Sequence, residues 1–141
     1  MEDDFFTMEL PQSEFYAYDG SRHHADVALS YSKLDPYEAT IVIVHDNTLT
    51  PVVWGIARDL FSEAIRGKRP DKGADVQVSS DSNRVFMKLC PPGSRPVTFH
   101  FYVEDISRFL SESYKIVPEG QENVEDQIEE ISKFLYQWPD V

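Results

Sequence analysis

Cysteine is almost missing from these 141 residues: Cys90 stands alone. An internal disulfide and a Cys-rich zinc site are thereby excluded, and Cys90 is expected to be a small buried apolar residue. Glycine is scarce as well. Six scattered glycines form neither G-x-G-x-x-G nor G-x-x-x-x-G-K, so the chain carries no phosphate-cradling loop. The longest apolar run, Val52 to Ala57, is far short of the ~20 residues that span a bilayer. The start, Met1-Glu2-Asp3-Asp4, is acidic where a signal peptide is basic, which predicts a cytoplasmic protein. Positive charge is missing from both ends. Residues 1–14 hold five acids and no base, and residues 119–141 hold seven acids against Lys133.

The rest is ordinary. Apolar residues make up 41% of the chain, with nine Phe, seven Tyr and two Trp, enough for a core. At this length roughly 68–70% of the unfolded surface is buried on folding, so no covalent staple is needed. The net charge of −12 is confined to the ends, because 13 acids face 12 bases across residues 15–118. Nucleic-acid affinity is dominated by phosphate contacts, and a balanced body offers no surplus cation for them. Arg66, Lys68, Arg69 and Lys72 form one local basic cluster, broken by Asp71; a solvated loop is its default reading.

Residues 1–11, ending at Pro11, read as an acidic N-terminal arm, and residues 12–141 as one domain. A strand over 13–18 alternates poorly. Ala25, Val27, Leu29 and Tyr31 alternate well and predict a strand; Thr40 to His45 is β-branched and predicts a buried one. Val52 to Ala57 is a further strand, running straight into a helix capped by Asp59 with Leu60, Phe61, Ala64 and Ile65 on its apolar face. Gly67 suits its stop. Strands then recur at 75–79, 84–89 and 96–103, followed by a second helix opening near Asp105. Val117-Pro118-Glu119-Gly120 closes that element. A last helix is expected from Val124 to Tyr136, with Glu129 and Glu130 on its acidic outer face as possible partner-binding residues. A shift of 46 lays Val53, Asp59 and Leu60 on Phe99, Asp105 and Ile106. The chain therefore reads as α+β, with two strands-then-helix half-repeats plus a C-terminal helix.

Catalytic chemistry is not evident. His23 and His24 are adjacent, and neighbours on a strand point to opposite faces, so they cannot easily share a metal ion. His45 ends a strand at a polar turn, and His100 lies opposite Val97, Phe99, Phe101 and Val103. Cys90 beside Pro91-Pro92 has no catalytic context. Glu104-Asp105 is explained as acid at a helix start. No catalytic residue, metal or cofactor is assigned.

Five strings in order resemble the SsgA-like proteins, sporulation and cell-division proteins of actinobacteria. Asp35-Pro36-Tyr37 resembles that family's D-P-Y turn. Pro51-Val52-Val53-Trp54-Gly55-Ile56-Ala57-Arg58-Asp59-Leu60-Phe61 resembles its V-x-W-x-F-x-R-x-L-L string. Asp75-Val76-Gln77-Val78 resembles its D-V-x-V strand, and Cys90-Pro91-Pro92-Gly93 its S-P-x-G break. Phe109-Leu110 through Ser113, Val117-Pro118, Gly120 and Glu122 resembles its F-L-x-x-T-x-x-x-V-P-x-G-x-E ending. Ile56, Phe61 and Ser113 depart from the pattern by apolar or small-polar exchanges. The physical roles of the motif residues are mainly structural: Trp54 a core anchor, Arg58 a partner for a carboxylate, Gly120 a turn of positive φ. The resemblance implies a strand-rich Whirly-like fold, a homotrimer, and a non-enzymatic adaptor at division septa. Its implied partners are the tubulin-like division protein FtsZ or another SsgA-like protein. A single-stranded nucleic-acid binder on the same scaffold is the alternative, and the acidic pI near 4.6 weighs against it.

Overall fold

In a computed structural model that describes residues 4–45 and 50–122, seven strands form one antiparallel, curled half-barrel sheet. Chain order gives β1 (Phe5–Tyr16), β2 (Arg22–Ser32), β3 (Glu38–Val44), β4 (Val52–Ala57), α1 (Arg58–Ile65), β5 (Val76–Ser80), β6 (Arg84–Leu89), β7 (Val97–Tyr102) and α2 (Val103–Ile116). The spatial order is β4-β3-β2-β1-β7-β6-β5. Two meanders thus meet at β1, and each runs directly into its helix. Displacing β3, β4 and α1 by 46 positions puts them on 84–90, 98–103 and 104–111. These fall on β6, β7 and α2. The repeat read from the sequence is therefore present in the element order, with β1 as the extra strand between the halves. The expected C-terminal helix lies outside the described residues.

Period-two alternation sets the inner face. Ala25, Val27, Leu29 and Tyr31 of β2, Ala39, Ile41 and Ile43 of β3, and Val85, Met87 and Leu89 of β6 are all buried. The helices close this face. Ile106, Phe109 and Leu110 of α2 and Phe61 and Ala64 of α1 complete the core.

The expected loose arm at 1–11 is corrected by β1, which begins at Phe5 and lies at the centre of the sheet. Its first half pairs with β2 from Phe5↔Ser32 to Leu10↔Val27. Phe6, Met8 and Leu10 turn inward, with Met8 4% exposed and the Phe6 ring 6.2 Å from that of Phe109. A β-bulge between Leu10 and Ser13 then sets two residues of β1, Pro11 and Gln12, against Asp26 alone on β2. Gln12 takes φ 53, the only positive φ outside glycine among the described residues. The bulge is pinned by the Gln12 N–H donating to Asp26 Oδ1 at 2.9 Å and by Ser13 Oγ donating to the Leu10 carbonyl at 2.7 Å. Across it the inward set passes from even positions to odd ones, Ser13 and Phe15, which is why 13–18 alternates poorly in the sequence.

Other corrections are local. Neither Asp59 nor Asp105 caps its helix: the N-cap residues are Ala57 and Tyr102, with no side-chain cap, and both acids sit within the first turn. There they still favour the positive end of the helix dipole. Val103 starts α2 instead of ending β7. Cys90 is half-buried, and its N–H holds the Asp75 carbonyl at 2.8 Å. Trp54 is half-buried on an edge strand and packs against the core from outside it, while Ile56 two residues on is 1% exposed.

Because Met8 is a core side chain of the central strand, Met8→Ala should lower unfolding free energy by about 2–5 kcal/mol. Urea denaturation checks this; a detached arm would leave the midpoint unchanged.

Candidate functional site

Three of the five family-like strings, distant in sequence, converge on Arg58. This residue is the first of α1, placed where β4 ends, and it is only 1% exposed. Its backbone N–H donates to the Tyr37 carbonyl at 2.8 Å, tying the helix start to the Asp35-Pro36-Tyr37 turn. Its guanidinium lies between two aromatic faces, 4.5 Å from the centroid of Tyr31 and 4.8 Å from that of Tyr114. The Tyr31 hydroxyl in turn donates to the Pro36 carbonyl at 2.7 Å. Burial pushes the Tyr31 phenol up to about 12 despite the neighbouring cation.

The guanidinium also closes the end of α2. Nη1 donates to the Val117 carbonyl at 2.8 Å, to the Ser113 carbonyl at 3.3 Å and to Ser113 Oγ at 3.4 Å. Carbonyls of a last helical turn lack partners within the helix and carry the negative end of its dipole, so a cation is the fitting cap. Nη2 forms an ion pair with the Glu122 carboxylate, which is buried with it. Glu122 reaches that position because the chain reverses at Pro118-Glu119-Gly120-Gln121. There the Gln121 N–H donates to the Pro118 carbonyl at 3.0 Å, and Gly120 supplies φ 82. Burial alone would raise the Glu122 pKa. Hydrogen bonds from Arg58 and from the backbone at Glu122 and Gly120 outweigh it, and the net shift is downward.

Asp59 and Leu60 flank this knot without entering it; Asp59 is exposed and its carboxyl is raised by desolvation and by Glu122. Asp35 sits at the turn below, where a hydrogen bond with Glu38 raises the Glu38 carboxyl. Glu38 in turn covers Gly55, where an added Cβ would meet Glu38 Oε1 at 1.8 Å. Trp54 stays apart on β4. Sequence reasoning passed over Tyr31 and Tyr114 as site residues, since nothing in their local strings marks an aromatic as the wall of a cation site. Glu129 and Glu130 lie outside the described residues. Just before that segment, Glu119 is paired with Arg66 and Glu122 with Arg58.

The basic cluster is also partly consumed. Arg66 meets Glu119 and Lys68 meets Glu63 at 3.3 Å, which leaves Arg69 and Lys72. His23 and His24 do point to opposite faces. His23 stacks on the inward Phe15 ring at 5.2 Å, whereas His24 pairs across the sheet with Glu14. His100 packs edge-on to Phe86 at 4.8 Å, and burial lowers its pKa. Among the described residues no three His, Cys, Asp or Glu side chains converge to hold a metal, and no helix is long and apolar enough to cross a membrane.

The guanidinium is engaged by carbonyls, a carboxylate and two rings and is 1% exposed, with Nε buried without a hydrogen-bond partner, so it turns no open face to a substrate. The site belongs to the class of structural locks, in an α+β domain where Arg58, Ser113, Val117 and Glu122 hold two helices and a turn together. The chain belongs to the SsgA family, described as the Streptomyces sporulation and cell division protein SsgA, whose model matches residues 25–122. It is similar to the sporulation-specific cell division protein SsgB of Thermobifida fusca, 33% identical over 97 residues, covering 67% of this chain and 69% of that one. The crystal structure of an SsgA-like sporulation-specific cell division protein from T. fusca superposes with a TM-score of 0.77 at 27% identity, covering 95% and 96% of the two chains. A structure described with SsgB mutations and longitudinal cell division in Streptomyces coelicolor superposes at 0.69 and 25% identity, over 84% and 92%. The matched segment ends at Glu122, the carboxylate of the knot.

Removing one partner of a buried ion pair leaves an uncompensated charge, so Arg58→Met should cost about 3–5 kcal/mol. Arg58→Met with Glu122→Leu should recover part of that loss in urea denaturation. The pH dependence has a definite sign. Glu122 has its folded pKa lowered below the ordinary 4.5, so its contribution is complete above that value. It is lost as pH falls through the folded pKa. Glu122→Gln should therefore be less stable at neutral pH and should flatten the acid limb of a stability-against-pH curve below about pH 4.5.

Proposed function

We propose that this chain is a non-enzymatic adaptor of sporulation-linked cell division. It places the septum by recruiting or positioning division proteins such as FtsZ or another SsgA-like protein, and works as a homotrimer in the cytoplasm at division septa. The observation that carries this reading is the family match over residues 25–122, together with an Arg58–Glu122 lock that is buried and spent within the chain. The relatives support it by name, as sporulation-specific cell division proteins. The proposed scaffold is Whirly-like: two strands-then-helix half-repeats plus a C-terminal helix, with Glu129 and Glu130 offering negative charge to a basic partner surface. Such charge speeds encounter more than it adds affinity.

The nucleic-acid alternative loses ground on a specific observation. Two of its four cations, Arg66 and Lys68, are already neutralised by Glu119 and Glu63, and a groove that tracks phosphate needs net positive field.

The test is co-sedimentation of the purified protein with polymerised FtsZ, alongside a fluorescent fusion viewed in sporulating cells. The expected outcome is co-pelleting and fluorescence in a ladder at septa. Glu129→Lys with Glu130→Lys should weaken co-pelleting most at low salt, where screening is weakest. Retardation of single-stranded DNA at near-physiological salt, without co-pelleting, would transfer the assignment to the alternative.

A further inference from the structure

The outer face of the sheet carries a groove that the lock does not explain. Glu9, Pro11, Asp26, Ala28, Val42 and Val44 line a depression of about 270 Å³ across β1, β2 and β3. Its shape follows from the register. Ala28 pairs with Glu9 on one side and Val42 on the other, and Asp26 with Val44, so a small side chain forms the floor between taller ones. The bulge in β1 raises the wall at Pro11 and aims Asp26 at Gln12. Val53 of β4, opposite Val42, prolongs the row and is 62% exposed, while Val44 is 44% exposed. The strand Val52–Ala57 contains no charge and no proline, the usual guards of an edge.

The charges of the groove are both negative. Glu9 and Asp26 are exposed, and Asp26 accepts only from Gln12 among the hydrogen bonds described for it. A second copy meeting this face in a two-fold manner would set like charges together. Anionic lipid and nucleic acid would be repelled in the same way. We infer that this groove binds a basic, apolar segment of a partner polypeptide laid across the strands. The aliphatic stem of a partner lysine or arginine lies along Ala28, Val42 and Val44, and its cation meets Glu9 and Asp26. A neighbouring apolar side chain of the same segment covers Val53. The inference rests on the adaptor reading only in requiring that the chain bind another polypeptide.

The probe is a short fluorescent peptide of alternating valine and lysine, titrated by anisotropy into the full chain; its valine–glutamate counterpart is the control. Glu9→Gln with Asp26→Asn keeps the acceptor that pins Gln12 and removes both charges, and should weaken the lysine peptide about tenfold. Ala28→Leu fills the floor without changing charge and should weaken it comparably, with the melting temperature recorded for both variants. Binding of the lysine peptide alone, reduced by both changes, supports the groove. Failure of the wild-type chain to bind, or equal binding by either variant, overturns it. So does a fall in mass by light scattering on Ala28→Leu, which would assign the groove to another copy of this chain. No division protein enters the titration, so its failure leaves the adaptor reading standing, and failed FtsZ co-pelleting leaves the groove standing.

Discussion

The buried pair between Arg58 and Glu122 is the constraint on which the rest of the structure depends. Placing a guanidinium in the interior is costly unless every donor and the charge itself are answered. Here Ser113 and Val117 accept from Nη1, Glu122 answers the charge at Nη2, and Tyr31 and Tyr114 cover the two planar faces, which leaves Nε as the one guanidinium nitrogen without a partner. Each answer comes from a different element: a strand, the end of a helix, and a turn beyond it. Only one mutual arrangement of α1, α2 and the 117–122 segment satisfies them together. An apolar residue in place of Arg58 would tolerate many arrangements, because hydrophobic burial is not directional. The knot thus contributes orientation to a core that already has enough apolar area.

The same logic explains the spacing of the family-like strings. Asp35-Pro36-Tyr37 offers two backbone carbonyls, one to the Tyr31 hydroxyl and one to the N–H of Arg58. The ending with Pro118, Gly120 and Glu122 exists to return a carboxylate to the guanidinium. Gly120 is needed because its positive φ makes the reversal tight enough. Residues that look like separate signatures along the chain are one cooperative unit in space.

Much of this was legible in the sequence where a single periodicity governs. The strands β2, β4 and β6 and the presence of both helices directly after a strand follow from alternation and from helical spacing, and Arg58 was readable as a cation seeking a carboxylate. Legibility ended where the period breaks. In β1 the bulge at Leu10–Ser13 moves the inward set from even to odd positions, so neither half alternates across the whole segment. The acidic side chains Glu2, Asp3, Asp4 and Glu9 then make a central strand resemble a tail. Trp54 was misplaced for another reason. Alternation shows which side of a strand a residue takes, but not whether that strand lies at the sheet's edge. In the knot, Tyr31 and Tyr114 escaped notice because cation–aromatic contacts have no sequence spacing of their own.

A division of labour follows for the surface. Arg58, Ser113 and Glu122 of the family-like strings face inward, and their contacts are spent within the chain. The side chains that the lock leaves free include the outward residues of β1 to β4 and charges not already paired. In this chain those charges are unequal. Arg22, Arg58, Arg66 and Lys68 each face a carboxylate, whereas Glu9 and Asp26 face none among the described ion pairs. Each such pair consumes one acid and one base, and only Arg58–Glu122 among them is buried. The lock thus stays neutral inside, while the exposed carboxylates of Glu9 and Asp26 repel other acidic surfaces and draw basic ones.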